Sequence, residues 1–395
     1  MNIKINSSLR LVPIEIRKDK KHYIVENKIS SEFYEMPEIC IDAINLINHG
    51  KSLAEIECQL KDKYPKEDVN LVDFVLQLQD LHLIEVIDGI NVVREEKKKE
   101  QLGFLWLSPR IGKFFFNKFS YYLYGTLFIL NIVLLLTHSY LFPHYKDLFL
   151  FDYMALNIPA WIVITFLTVF IHEFGHVLAI RAKNLPTKLG AGHRLFVVVL
   201  ETDMSSVWKL PLKERNVLFL AGLCFDTVIL SIALLSQLIA GDGSEIFRGI
   251  MNIIVLDTFI RMIYQLCIYM KTDFYYVLEN VSGCYNLMEN AQRLIRRKLP
   301  LLKFNEVEDE VFDGERKTVF IYSIFYLIGV GMTVSLYVFF YIPQFLFAWK
   351  KVLPGFSYGP GSISFWDALF FSSNNHWSRT TILLVAEKVY IIMAR

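Results

Sequence analysis

The chain has 395 residues, 54% of them hydrophobic, with 32 Phe and 20 Tyr and a mean hydropathy of +0.36. That content excludes a purely soluble protein and points to an integral membrane protein, while the formal charge of +1 averages a soluble part with a membrane part. Cys40, Cys58, Cys224, Cys267 and Cys284 are odd in number and scattered, which excludes a disulfide framework and a cysteine zinc site.

Residues 1–95 contain amphipathic pieces and no membrane-length apolar run, so they are expected to form a separate domain. No charged stretch followed by a short apolar run and a small-residue cleavage site opens the chain, so the N-terminus is expected in the cytoplasm. Residues 11–16 and 23–25 read as strands, and 37–47 as a helix ended by Asn48-His49-Gly50, where glycine takes the left-handed cap. Ser52 with Glu55 makes a capping box for a helix through Leu60, and a further helix is expected over 68–81. Residues 84–93 alternate around Asp88-Gly89, a strong hairpin signal. Strands, three helices and a terminal hairpin make an α+β winged helix-turn-helix.

Nucleic acid is a poor partner for this domain. Residues 1–92 hold eleven Lys and Arg against sixteen Asp and Glu, a balance that phosphates repel. The stretches Tyr23-Ile24-Val25, Phe33-Tyr34-Glu35-Met36-Pro37, Gly50-Lys51-Ser52-Leu53-Ala54-Glu55-Ile56 and Tyr64-Pro65 resemble the leader-peptide recognition domains of ribosomal peptide modification pathways, best known from pyrroloquinoline quinone biosynthesis. That resemblance, over about ninety residues, implies that a disordered leader peptide adds as a strand beside the winged sheet.

Residues 96–118 form a juxtamembrane linker, charged at Glu95-Glu96-Lys97-Lys98-Lys99-Glu100 and carrying Arg110, Lys113 and Lys118 before the first apolar segment. Membrane spans are expected over 119–142, 157–180, 216–240, 247–270 and 318–346, making 119–346 the membrane core, with 347–395 a C-terminal segment whose residues 380–394 make a candidate sixth span. Arg181, Lys183, Lys188, Arg194, Lys209, Lys213 and Arg215 between the second and third spans put that loop in the cytoplasm, as do Arg293, Arg296, Arg297 and Lys298 for the loop over 282–317.

Chemistry enters at Ile171-His172-Glu173-Phe174-Gly175-His176, inside an apolar run where an ionisable group costs roughly 2.5–3.5 kcal/mol at the bilayer centre. Four residues apart on a helix, His172 and His176 share a face and can hold one zinc ion, while Glu173 reaches the water activated there as general base. A hydrolytic zinc site needs a third protein ligand, and Asp273, at the cytoplasmic end of the fourth expected span, faces the same membrane side as the end of the second. Asp257 and Arg261, spaced i,i+4, are expected to pair with each other, without a catalytic role. Residues 194–200 read as a strand or membrane-dipping hairpin beside the site, with His193 in the loop before it.

This histidine motif and later aspartate resemble the site-2 protease superfamily of intramembrane zinc metalloproteases over roughly residues 155–290. In that frame Gln265 and Ile268 stand where asparagine and proline are expected, and Phe274 replaces the glycine after the aspartate, so a helix break before Asp273 is not assured by proline. Gln265 keeps a donor for substrate or an oxyanion. Ala221-Gly222 followed by Asp226 resembles the family's Ala-Gly-Pro motif with a polar residue after it, able to face the site or to bond between helices.

The two resemblances together imply a membrane-embedded zinc metalloprotease that captures a ribosomally made precursor peptide by its leader and cleaves it during maturation, with a radical peptide-modifying enzyme and an exporter acting nearby. The alternatives are a regulatory protease cutting a transmembrane signalling protein, which needs no leader-binding domain, and a non-catalytic membrane protein that binds the peptide for export or immunity.

Overall fold

The computed structural model of the chain describes residues 5, 7–20, 22–65, 67–92, 103–194, 197–240, 244–298 and 315–373. It divides into two units: Met1–Gly103 with Met204–Arg215, and Phe104–Asp203 with Asn216–Arg395. The first unit therefore takes in a segment distant in sequence.

In the first unit β1 (Leu9–Leu11), β2 (Ile14–Asp19), β3 (His22–Asn27) and β4 (Phe33–Met36) precede α1 (Glu38–Asn48), α2 (Leu53–Lys63) and α3 (Leu71–Asp80), and a hairpin of β5 (Ile84–Ile87) and β6 (Ile90–Asn91) follows. The single strand expected over 11–16 is split, because Pro13 has no N–H for a ladder and the two halves enter different sheets, β1-β5-β6 and β2-β3-β4. Strand β4, unmarked by alternation, pairs antiparallel with β3 from Tyr23↔Met36 to Glu26↔Phe33. Ser52 and Glu55 close their capping box, and Gly50 ends the turn after α1 at φ +75°. Asp88 and Gly89, both at positive φ, turn the hairpin in the geometry that fits twisted strands. Val25, Ile44, Ile56 and Val75 are fully buried at the centre of the core that the helices and sheets share.

Segment Met204–Arg215 is fixed to this unit by polar contacts. Arg17 donates to the carbonyls of Trp208 and Lys209, and Lys209 pairs with Glu26 at 3.1 Å. Arg215 is fully buried, its guanidinium 2.6 Å from Asp19 and 4.8 Å from the Trp208 ring centroid.

The second unit is mostly helical. It contains α4 (Pro109–Phe115), α5 (Lys118–Thr137), α6 (Met154–Ala182), the hairpin β7 (Leu189–Arg194) and β8 (Val197–Thr202), α7 (Leu212–Phe219, which begins in the first unit), α8 (Ala221–Ala240), α9 (Glu245–Gln265), α10 (Asp273–Ser282), α11 (Leu287–Lys298), α12 (Arg316–Leu336), α13 (Ile342–Val352) and α14 (Ile363–Ser373). Among the described residues four helical runs are long and apolar enough to cross a membrane: Lys118–Thr137, Met154–Ala182, Leu212–Ile239 and Arg316–Tyr358. Their outward faces are apolar, as at Phe119 and Leu136, which are 77% and 78% exposed, so a lipid phase rather than water suits them.

Five to six spans were expected, and the count differs for identifiable reasons. The expected span 247–270 becomes α9, which carries Glu245, Arg248, Asp257 and Arg261 and stops at Gln265, with Ile268–Met270 in a 3-10 turn. The last run extends beyond 346 because a π-helical turn at Tyr337–Tyr341 carries α12 into α13. Residues 380–394, the candidate sixth span, and the charged linker at 95–101 lie outside the described residues.

Helices α6, α8 and α9 pack side by side. Helix α5 joins α8 through Asn131, which donates to the Thr227 carbonyl at 3.0 Å and accepts from Ser231 at 2.8 Å, an interhelical bond of the kind an apolar medium favours. Tyr275, Tyr322 and Tyr326 pack α10 against α12, and the Tyr322 hydroxyl donates to the Ile268 carbonyl at 2.9 Å.

Candidate metal centre

Helix α6 places His172 and His176 one turn apart, with ring centroids 5.1 Å from each other and both side chains buried. Close passage of α8 makes room for the pair. A Cβ at Gly175 would meet the Ala221 carbonyl at 2.9 Å, and a Cβ at Gly222 would collide with Nε2 of both imidazoles, so glycine is required on each helix where they cross.

Each ring is oriented through its Nδ1. His176 Nδ1 lies 2.9 Å from the Leu218 carbonyl, which can only accept, so Nδ1 carries a proton and Nε2 is the nitrogen left to face the site. His172 Nδ1 lies 2.8 Å from Asp226 Oδ2, an arrangement that assigns the same tautomer. Asp226, one turn after Gly222 on α8, is fully buried and paired with Arg261 of α9 at 2.9 Å.

The third group arrives at a helix start. After Gln265 the chain leaves α9, Lys271 takes φ +53°, and α10 begins at Asp273. No proline makes this break, and hydrogen bonds hold it: Thr272 Oγ1 donates to the Gln265 carbonyl at 2.8 Å, and Gln265 Oε1 accepts from the Asp273 backbone N–H at 3.0 Å. Gln265, expected as a substrate or oxyanion contact, thus holds the backbone of Asp273.

Asp273 Oδ2 stands 3.2 Å from His172 Nε2 and 3.4 Å from His176 Nε2. Three potential ligand atoms thus converge on one point, and Oδ2 is a buried oxygen with no hydrogen-bond partner of good geometry. All three lie within 4.8 Å of one another. Two ligands of one tetrahedral zinc ion stand about 3.3 Å apart for bonds near 2.05 Å, a separation that both contacts of Oδ2 have, and two imidazoles with one carboxylate make a donor set of the kind zinc takes. Four carboxylates (Glu173, Asp226, Asp257 and Asp273) and one guanidinium are gathered around this point, a balance that a divalent cation improves.

No family model, curated protein or solved structure matches the chain. The argument about its chemistry therefore rests on the geometry of these residues.

Glu173 follows His172 directly, and its Oε2 accepts from both the backbone N–H of Thr202 at 2.9 Å and the Thr202 hydroxyl at 2.8 Å. Thr202 is the last residue of β8, which pairs antiparallel with β7 from Leu189↔Thr202 to Arg194↔Val197. The strand expected over 194–200 is thus the second arm of a hairpin, and the backbone of His193 lies in the first.

Asp257 and Arg261 pair at 2.9 Å as their spacing implies, and Arg261 also reaches Asp226. That link escapes sequence reasoning because Asp226 lies thirty-five residues away on another helix. The Leu218 carbonyl leaves no trace in residue type at all. Gly222 and Asp226 had a signal, their places after Ala221 in a motif-like stretch.

Proposed function

We propose that the chain is an intramembrane zinc endopeptidase of the site-2 protease type, acting on a ribosomally made precursor peptide. The observation that carries this reading is the convergence of His172 Nε2, His176 Nε2 and Asp273 Oδ2 on one point beside a separate carboxylate, Glu173. Three protein ligands with a position left open characterise hydrolytic zinc sites.

When bound, zinc supplies a Lewis acid that acidifies water to near neutral pH and polarises a carbonyl. The residues of the chain do the remaining work. Asp226 and the Leu218 carbonyl fix the two rings by holding the Nδ1 protons. Glu173 takes a proton from the attacking water on its carboxylate and returns it to the leaving amine, while Thr202 sets the direction in which Oε2 points. The β7–β8 ribbon has the geometry to which an extended peptide adds as a strand, exposing a scissile carbonyl.

The first unit favours a leader-bearing peptide over nucleic acid. Its three helices followed by the β5–β6 hairpin follow a winged helix-turn-helix order, and its net negative charge opposes phosphate binding. In this reading the N-terminal unit lies in the cytoplasm, and a radical peptide-modifying enzyme and an exporter serve the same peptide.

Incubating purified protein with candidate precursor peptides, with and without a chelator, and reading the fragments by mass spectrometry tests the proposal. Cleavage is expected to stop on chelation and to return with zinc. Glu173→Ala is expected to keep the metal and the fold while losing cleavage, and normal cleavage by that variant would rule the mechanism out.

A further inference from the structure

The polar chain behind His172 does not stop at Asp226. Arg261 donates from Nη2 to Asp226 Oδ1 at 2.9 Å and from Nε to both Asp226 oxygens at 3.2 Å, so Oδ1 is engaged by the guanidinium alone while Oδ2 is shared between it and the imidazole. Its Nη1 donates to Asp257 Oδ2 at 2.9 Å and to Thr168 Oγ1 at 3.1 Å. Asp257 in turn accepts from Thr165 and Thr168, at 2.8 and 2.7 Å. Thr165, Thr168 and His172 follow one another on α6, so the bonds leave that helix at its threonines, cross α9 and α8, and return at the imidazole.

We propose that Arg261 is a positioning residue for the metal centre, gripping Asp226 so that its second oxygen holds the His172 ring with Nε2 turned toward Asp273 and His176. The inference rests on the metal-centre reading. Asp226 is fully buried in a span, where a carboxylate without a partner is strongly unfavourable. A guanidinium suits the place because its planar fork serves Asp226 and Asp257 together, which a lysine ammonium cannot do with the same geometry. Simple neutralisation of Asp257 would leave Asp226 free to rotate.

Cobalt(II) binding to the full chain in detergent, followed by its visible d–d spectrum, separates the possibilities without recourse to activity. Arg261→Met is expected to weaken cobalt affinity about 10- to 100-fold, the range for losing an outer-shell partner of a ligating histidine. Arg261→Lys is expected to fall between that variant and the wild type. The double variant Asp226→Asn/Arg261→Met removes the stranded carboxylate but leaves the side chain at 226 without its grip, so it is expected to fold and to bind cobalt as weakly as Arg261→Met. The double variant also keeps the test open should Arg261→Met fail to fold. Wild-type affinity in Arg261→Met overturns the inference, as does a folded double variant that binds as the wild type does, since Arg261 would then only neutralise charge. A wild-type chain that binds no cobalt overturns the metal centre itself.

Discussion

At the scale of single residues, the centre depends on an atom that is not there. Gly222 gives α8 no side chain where two imidazoles point, and a methyl group at that position would overlap both Nε2 atoms. The rings cannot retreat without breaking the bonds from Nδ1 to Asp226 and to the Leu218 carbonyl. Gly222→Ala is therefore expected to remove metal binding while the rest of the helix tolerates alanine, a better helix former than glycine by about 1 kcal/mol. Elemental analysis of the purified variant, with circular dichroism as the check on helicity, reads both outcomes. Metal at wild-type stoichiometry would show that the rings have another place to go.

Among elements, the break between α9 and α10 decides where the third ligand stands. Gln265 supplies with a side-chain oxygen what the next turn of helix would have supplied from the backbone, accepting the Asp273 N–H. Gln265→Leu keeps the volume but leaves that N–H without its acceptor, at a cost of about 1–3 kcal/mol for a buried group. Weaker metal binding with the fold retained is the expected result, measured by competition with a chelating dye, and unchanged affinity would show that Thr272 alone holds the break. Further along α10, outside the spans, burial pushes the Glu279 carboxyl up to about 7 from an ordinary value of 4.5, against the lowering effect of hydrogen bonds from Tyr275 and the Leu287 N–H. A folded value above the unfolded one means that its contribution to stability is complete below about 4.5 and is lost as pH rises through about 7. Glu279→Gln, which cannot ionise, is expected to flatten the melting temperature across that window, and an unchanged pH profile would contradict it. These elements also mark what could be read in advance. The capping box at Ser52, the Asp88-Gly89 turn and the histidine pair are written in residue type and spacing, so they were legible. Strand β4, the junction at Gln265 and the link from Arg261 to Asp226 depend on distant partners or on context, and spacing carries no information about those.

For the molecule as a whole, chain order and folding unit disagree at 204–215, which follows β8 in sequence yet folds with the N-terminal unit. Its anchor is Arg215, fully buried against Asp19, which is itself only 3% exposed. Truncating the N-terminal residues to ask whether they bind a leader would therefore also strand a buried guanidinium, and the loss of activity would have two explanations. Peptide substrates with and without a leader, offered to the intact chain, avoid that ambiguity. The anchor can be tested in its own right. Removing one partner of a buried ion pair costs about 3–5 kcal/mol, because the other charge is left in a poor medium, whereas replacing both with apolar groups is often close to neutral. Asp19→Ala is accordingly expected to speed hydrogen exchange over residues 14–27 and 204–215 by about two to four powers of ten, the equivalent of that cost where local opening limits exchange. Exchange elsewhere should stay nearly constant. Asp19→Leu/Arg215→Met is expected to restore most of the protection, since it removes both charges and keeps apolar volume beside the Trp208 ring. Unchanged exchange in Asp19→Ala would mean that the carbonyls of Leu210 and Trp208, which also accept from Arg215, suffice to hold the guanidinium.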